Sequence, residues 1–210
     1  MKSLSLVFLT FFLVSCQTLP SIHSSGLQAD TKGITCPDPF LKEKYRMVHA
    51  IETRLAGKTQ TAVIGVTSAD PSTRTLACAI LTAEGMVLFE AESTRDHVKV
   101  HRALPPFDSE ELSRNMIQDI ELIFFAPEEQ IHTRGNLPDG STVCRYRLGN
   151  RDWIDVIGDQ SGTIEIKRYS LCGILKRHVT FNEASENMYP SIELQAYETF
   201  NYSLRMNLIE

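Results

Sequence analysis

No excess of basic charge runs through this chain. Its 21 Lys and Arg stand against 26 Asp and Glu, a formal net charge of -5 over 210 residues. That balance, without a basic stripe, excludes the electrostatic footprint of a nucleic-acid binder. None of the five cysteines forms a C-x-x-C pair, so neither a zinc ribbon nor a thioredoxin-like couple is expected. The sequence also lacks G-x-S-x-G, a P-loop, G-x-G-x-x-G and H-E-x-x-H, and with them the commonest signatures of catalysis and nucleotide binding. His97 and His101 share a strand face beside Asp96, but no third and fourth ligand accompanies them, and a solvated face explains them. Asp108, Glu110 and Glu111 are accounted for by the start of a helix. No catalytic residue, metal or enzymatic activity is expected. Beyond residue 15 no apolar run approaches the roughly 20 residues that cross a bilayer as a helix.

What is present begins at the first residues. Lys2 gives a positive head, residues 4–14 an apolar core with Val7, Phe8, Leu9, Phe11, Phe12 and Leu13, and the core stops at Leu-Val-Ser-Cys, residues 13–16. This is the order of a secretory signal. Leu-Val-Ser-Cys resembles the lipobox of bacterial lipoproteins. That resemblance implies removal of residues 1–15 and a diacylglycerol with further acyl chains, palmitate among them, on Cys16. One acyl chain anchors only marginally, whereas two or three make attachment stable. Gln17 stands where Asp favours inner-membrane retention in Gram-negative lipoproteins, so the resemblance implies the outer membrane, facing the periplasm. Residues 16–38, rich in Ser, Thr, Gly and Pro, read as a lipidated N-terminus and flexible tether. Residues 39–210 read as one domain.

With Cys16 lipidated, Cys36, Cys78, Cys144 and Cys172 remain in an exported chain that can form disulfides. Four cysteines allow three pairings, and sequence does not choose among them. Cys78, in an apolar stretch, is equally a small buried hydrophobe or half of a bridge.

The domain reads mostly with period two. Strands are expected over 60–68, 73–81, 86–92, 97–101, 143–148, 153–157, 163–169 and 175–181. The stretch 45–55 fits a strand or a helix. Residues 109–123 form the one expected helix, capped by Asp108 or Ser109, with Leu112, Met116, Ile120 and Ile123 as its stripe and a greasy end at residues 122–125. From 192 to 208 the even positions are mostly apolar, and so long a strand must bend or split near Glu198. Trp153 with Arg145, Arg147 and Arg151 is open to two readings, a head-group contact or a solvated strand edge.

This order, carried by residues 61–125 and especially Gly85-Met86-Val87-Leu88-Phe89-Glu90-Ala91 and the segment from Leu104-Pro105-Pro106 to Ile120-Glu121-Leu122, resembles the LolA/LolB-like class of envelope lipoprotein carriers. The resemblance implies a mainly β (α+β) fold: a strongly curved antiparallel sheet forming a half-barrel, with a central helix plugging the concave face. It also implies an apolar interior that receives acyl chains. The protruding loop of LolB has no clear counterpart here. Small residues at Ala62, Gly65, Ala77, Ala79 and Ala91 beside Met86, Leu88 and Phe89 are consistent with such a hollow. The expected lipid-binding residues are Val63, Ala77, Ala79, Met86, Leu88, Phe89, Met116, Ile120 and Phe124. Two readings of the hollow stay open: it takes a lipid, or the helix fills it. The expected role is an outer-membrane lipoprotein that binds an acyl chain or lipidated cargo in envelope transport or assembly. The competing role is a structural adaptor with a closed core, docked on an envelope protein. No cofactor is expected beyond the covalent lipid on Cys16.

Overall fold

The computed structural model describes residues 17–23, 34–55, 58–149, 152–182, 189–198 and 201–210. Cys16 and the signal segment lie outside them. Twelve strands and one long helix follow in order: β1 (Tyr45–Leu55), β2 (Lys58–Asp70), β3 (Thr75–Leu81), β4 (Val87–Ser93), β5 (Val98–Ala103), α1 (Glu110–Phe124), β6 (Ile131–Asn136), β7 (Thr142–Leu148), β8 (Asp152–Gly158), β9 (Ile164–Ser170), β10 (Leu175–Asn182), β11 (Ser191–Ala196) and β12 (Tyr202–Leu208). All twelve form one antiparallel sheet in the order β5-β4-β3-β2-β1-β12-β11-β10-β9-β8-β7-β6. The two edge strands, β5 and β6, come from the middle of the chain, and α1 lies between them in sequence.

Period two decides the faces. Register pairs Met47 with Thr67, Thr67 with Cys78 and Cys78 with Ala91. On the other wing it pairs Leu194 with Val179, Val179 with Ile166, Ile166 with Val156 and Val156 with Cys144. These residues belong to one face, the face on which α1 packs. The helix draws both wings to itself. Glu121 accepts from Ser93 of β4 at 2.8 Å, and Gln118, one turn earlier, accepts from Arg168 of β9 at 3.4 Å. Neighbouring strands lie about 4.8 Å apart, so β4 and β9 would stand ~34 Å apart in a flat sheet. The sheet therefore bends around the helix.

Ser109 caps α1 by accepting from the Leu112 N–H at 3.0 Å, with Glu110 and Glu111 in the first turn. The expected single stripe is too narrow. Ser113, Ile117, Asp119, Leu122, Ile123 and Phe124 are all buried, because the bent sheet meets the helix on more than one side. Four other stretches settle or amend the sequence reading for local reasons. The ambiguous stretch is a strand, β1, paired along its whole length with β2. The last run splits around Glu198, as its length requires, into β11 and β12, which pair with one another. Strand β6, which has only six residues and weak alternation, was not expected. β5 is exposed along most of its length rather than half-solvated, since it is an edge strand with a neighbour on one side alone.

The segment expected to be a free tether is held over its described parts. The Arg145 guanidinium donates to the Pro20 carbonyl at 3.0 Å, and His23 exchanges two backbone hydrogen bonds with Asn136 on the open edge of β6. Farther on, Cys36 is disulfide-bonded to Cys144, and the Leu41 N–H donates to the last carbonyl of α1. Residues 17–23 thus cover the face away from the helix, where Val143 and Ile157 are buried, and residues 36–41 run along the helix side. Composition showed few apolar groups here. Backbone bonds and a covalent link do the holding instead. The structure forms one bridge in place of the two that each expected pairing contains, and Cys78 is a buried thiol whose pKa burial pushes up to about 12. The bridge closes a loop with a sequence separation of 108. Replacing Cys36 and Cys144 together by serine is expected to cost about 2–4 kcal/mol in urea unfolding, and reductant should reproduce that loss in the native chain.

Arg145 is neither a head-group contact nor a solvated edge. Its guanidinium donates twice to Asp155, at 2.6 and 2.7 Å, and both side chains are buried under residue 20. Arg147 lies over the Trp153 ring, 5.4 Å from its centroid. Arg151 falls outside the described residues.

Candidate functional site

The greasy end of α1 places consecutive apolar side chains on opposite flanks of the helix. Ile123 and Phe124 turn toward β12, β1, β2, β3 and β4; Leu122 and Phe125 turn toward β7, β8 and β9. A cavity lies on each flank. The first, about 70 Å³, is lined by Ile51, Ile80, Phe89, Met116, Ile120, Ile123, Phe124, Leu204 and Met206. His49, Thr67 and Asp119 are its polar contributors. The second is an open groove of about 290 Å³. Phe40, Leu122, Phe125, Leu148 and Ile154 form its apolar part, and Arg74, Arg168, Glu121, Glu128 and Glu129 its charged part. Arg74 stacks over the Phe125 ring at 5.1 Å and donates to the Ala126 carbonyl at 2.9 Å.

α1 stands between the two, and a buried polar cluster fixes it there. The Arg177 guanidinium of β10 donates to Asp119 of the helix and to Glu198, each at 2.7 Å. The Tyr202 hydroxyl donates to the other Asp119 oxygen. Arg177 and Asp119 are almost fully buried. Burial alone would lower the Arg177 pKa; the Asp119 carboxylate beside it outweighs that and holds it above its ordinary value. Among the described residues, no buried side-chain nitrogen or oxygen lacks a hydrogen-bond partner.

His49 carries a different signature. It is 3 % exposed, faces Phe124 with ring centroids 6.2 Å apart, and burial pulls its pKa down to about 4. It is therefore a neutral imidazole in the wall of the smaller cavity.

The expected lipid-binding residues divide. Phe89, Met116, Ile120 and Phe124 line the smaller cavity together, with Ala79 at its margin. Val63 lies on the helix-side face opposite Ile51 but lines neither cavity. Ala77 is on the other face, since Leu76 and Cys78 on either side of it turn inward, and it is exposed. Met86 sits in the β3–β4 turn, more than half exposed, and Leu88 is half-buried. Sequence reasoning missed the groove-lining Phe40, Leu148 and Ile154. Phe40 follows the supposed tether, and the other two sit on strands whose partners across the helix cannot be read from spacing. His101 bonds Glu92 at 2.8 Å.

No family model matches the chain, and no curated protein matches it. Among solved structures, it is similar to a LolA superfamily protein from Nitrosomonas europaea. The two are 10% identical, the match covers 81% of this chain and 86% of that one, and the TM-score is 0.46. The chain's own geometry must carry the functional reading.

Proposed function

We propose that this protein is an outer-membrane-anchored lipoprotein, facing the periplasm, that binds an acyl chain or lipidated cargo beside α1 during envelope lipid or lipoprotein transport and assembly. In this reading the bent sheet is a half-barrel, α1 is the plug in its concave face, and Cys16 carries the anchoring lipid. The protein is a binder, not an enzyme.

The groove between α1 and β7–β9, apolar on its floor and charged at its edge, is the observation that supports this most. Its volume of about 290 Å³ approaches the ~300 Å³ at which small-molecule pockets begin. An apolar floor suits an acyl tail, which can lie on Phe40, Leu122 and Ile154, while Arg74 and Arg168 at its edge are already paired with Glu128 and Asp152. The cavity on the other flank is too small for a whole acyl chain. It enlarges only if α1 shifts, so it serves as room into which the plug or a chain end can move.

The small size of the cavity lined by Phe89 and Met116 favours one competitor, the adaptor whose core is closed. Displacement of a fluorescent fatty acid, together with native mass spectrometry of the gently purified protein, separates the two. Binding is expected in the native chain. Leu122→Trp, which fills the groove, should weaken it by roughly tenfold or more with the far-UV spectrum unchanged. No co-purified lipid and no displaceable probe would favour the adaptor.

A further inference from the structure

The two ends of the strands differ in chemistry. In this meander, the turns β2–β3, β6–β7 and β8–β9 all fall at one end, where Asp70, Asp139 and Asp159 close polar turns by accepting from the backbone N–H groups of Ser72, Ser141 and Ser161. The turns β9–β10 and β11–β12 fall at the other end. There Leu171 is 54% exposed, Ile174 52% and Tyr197 40%. These two turns are adjacent, because β10 pairs with β11. Three large apolar side chains thus project into solvent from neighbouring turns, the first of which is closed by Ser170 Oγ accepting from the Ile174 N–H at 3.1 Å.

The N-terminal segment meets the sheet at this same spot. The Gln17 carbonyl oxygen lies 2.4 Å from where a Cβ on Gly173 would stand, and the Leu19 nitrogen 3.1 Å. Gly173 also has a φ of +73°, so the turn needs glycine both for its own shape and for that approach. Gln17 directly follows Cys16. Residue 16 is therefore within one residue's reach, about 3.8 Å of chain, of a backbone atom packed on the β9–β10 turn.

We propose that Leu171, Ile174 and Tyr197 form a rim that enters the interfacial layer of a phospholipid bilayer beside the lipid on Cys16, fixing the orientation of the sheet on the membrane. The inference rests on the lipoprotein reading for its anchor. A lipid attached through a long free tether would leave the domain to tumble. Here the docked segment removes that slack and sets the apolar turns where the acyl chains must leave the protein. Exposed apolar groups that would cost solubility in water gain a partner at such an interface.

Full-length lipidated protein, with Trp153 replaced by phenylalanine, is reconstituted in phosphatidylethanolamine/phosphatidylglycerol vesicles containing a nitroxide-labelled lipid. A tryptophan at Leu171→Trp should be quenched roughly threefold more strongly than one at Gln160→Trp on the opposite end. In the Leu171→Asp/Ile174→Asp chain, which should stay in the membrane fraction through its anchor, a Tyr197→Trp reporter should lose most of its quenching. Equal quenching at the two ends, or a tryptophan at 171 shielded from the lipid by a second copy or another protein, overturns the proposal. Cys16→Ser tests the anchor separately. Its release from membranes supports the lipoprotein reading whatever the quenching shows.

Discussion

Arg177→Met is expected to cost about 3–5 kcal/mol of folding stability, because it strands the Asp119 carboxylate in the core with the Tyr202 hydroxyl as its remaining side-chain hydrogen-bond partner. The measurement is urea unfolding near neutral pH. The cause can be told from mere loss of arginine packing. Asp119→Leu combined with Arg177→Met removes both charges and should recover most of the loss, since replacing a whole buried pair by apolar groups is commonly neutral or favourable. If the double variant is as unstable as the single one, the ion pair is not what holds the helix. A second readout ties the cluster to binding. Asp119 is the residue through which β10 and β12 grip α1, so the stable double variant should admit a fatty-acid probe faster than the native chain. An unchanged association rate would mean that α1 does not have to move.

Acid should destabilise the protein well above the range in which carboxylates titrate, and His49 is the reason. Its folded pKa is depressed from 6.5 to about 4 by burial. A histidine depressed in this way contributes stability that is complete above its unfolded value and lost as pH falls toward the folded one. The window is pH 6.5 down to 4, and the loss by its lower end is of order 2–3 kcal/mol. Asp119 from α1 and Cys78 from β3 line the same cavity. Asp119 is already engaged by Arg177 and Tyr202, and Cys78 is a neutral thiol, so neither supplies the imidazolium with a free counter-charge. Glu165 acts in the same direction but lower down. The His178 ring beside it, and then Lys167, hold its pKa to about 2, so its contribution is lost between pH 4.5 and 2. Unfolding free energies of the native chain and His49→Leu, compared from pH 8 to 4, check the assignment. The variant should be nearly flat from pH 6.5 to 5. A slope equal to the native one would place the acid sensitivity elsewhere.

Much of the fold was legible because its signals are local. Alternation at residues 60–68, 163–169 and 175–181 marks β2, β9 and β10, and the acids and serine before Leu112 mark the start of α1 to within a residue. Turn chemistry at Asp70 and Asp159 was equally plain, since each aspartate folds back on backbone N–H groups two residues away. The candidate site was legible only on one flank. Phe89, Met116, Ile120 and Phe124 share a cavity because strand and helix periodicity both turn them inward. The other flank depends on which strand crosses the helix. Leu148 and Ile154 reach Leu122 only because a twelve-stranded sheet bends back on itself, and no spacing encodes that. Ala77 shows the limit at single-residue scale, where a shift of one position along a strand exchanges the faces.

The sequence alone determined the apolar run of residues 4–14 that stops at Leu-Val-Ser-Cys, the antiparallel pattern with one amphipathic helix, and the absence of the usual catalytic motifs. Each of these is written in neighbours along the chain. Tertiary structure decided the Cys36–Cys144 pairing, the docking of residues 17–23, the burial of Arg145 and Arg177 against carboxylates, and the gathering of Leu171, Ile174 and Tyr197 beside Gln17. These are long-range contacts between segments that are each unremarkable alone, and their energies come from burial and pairing that exist only once the sheet has bent around its helix.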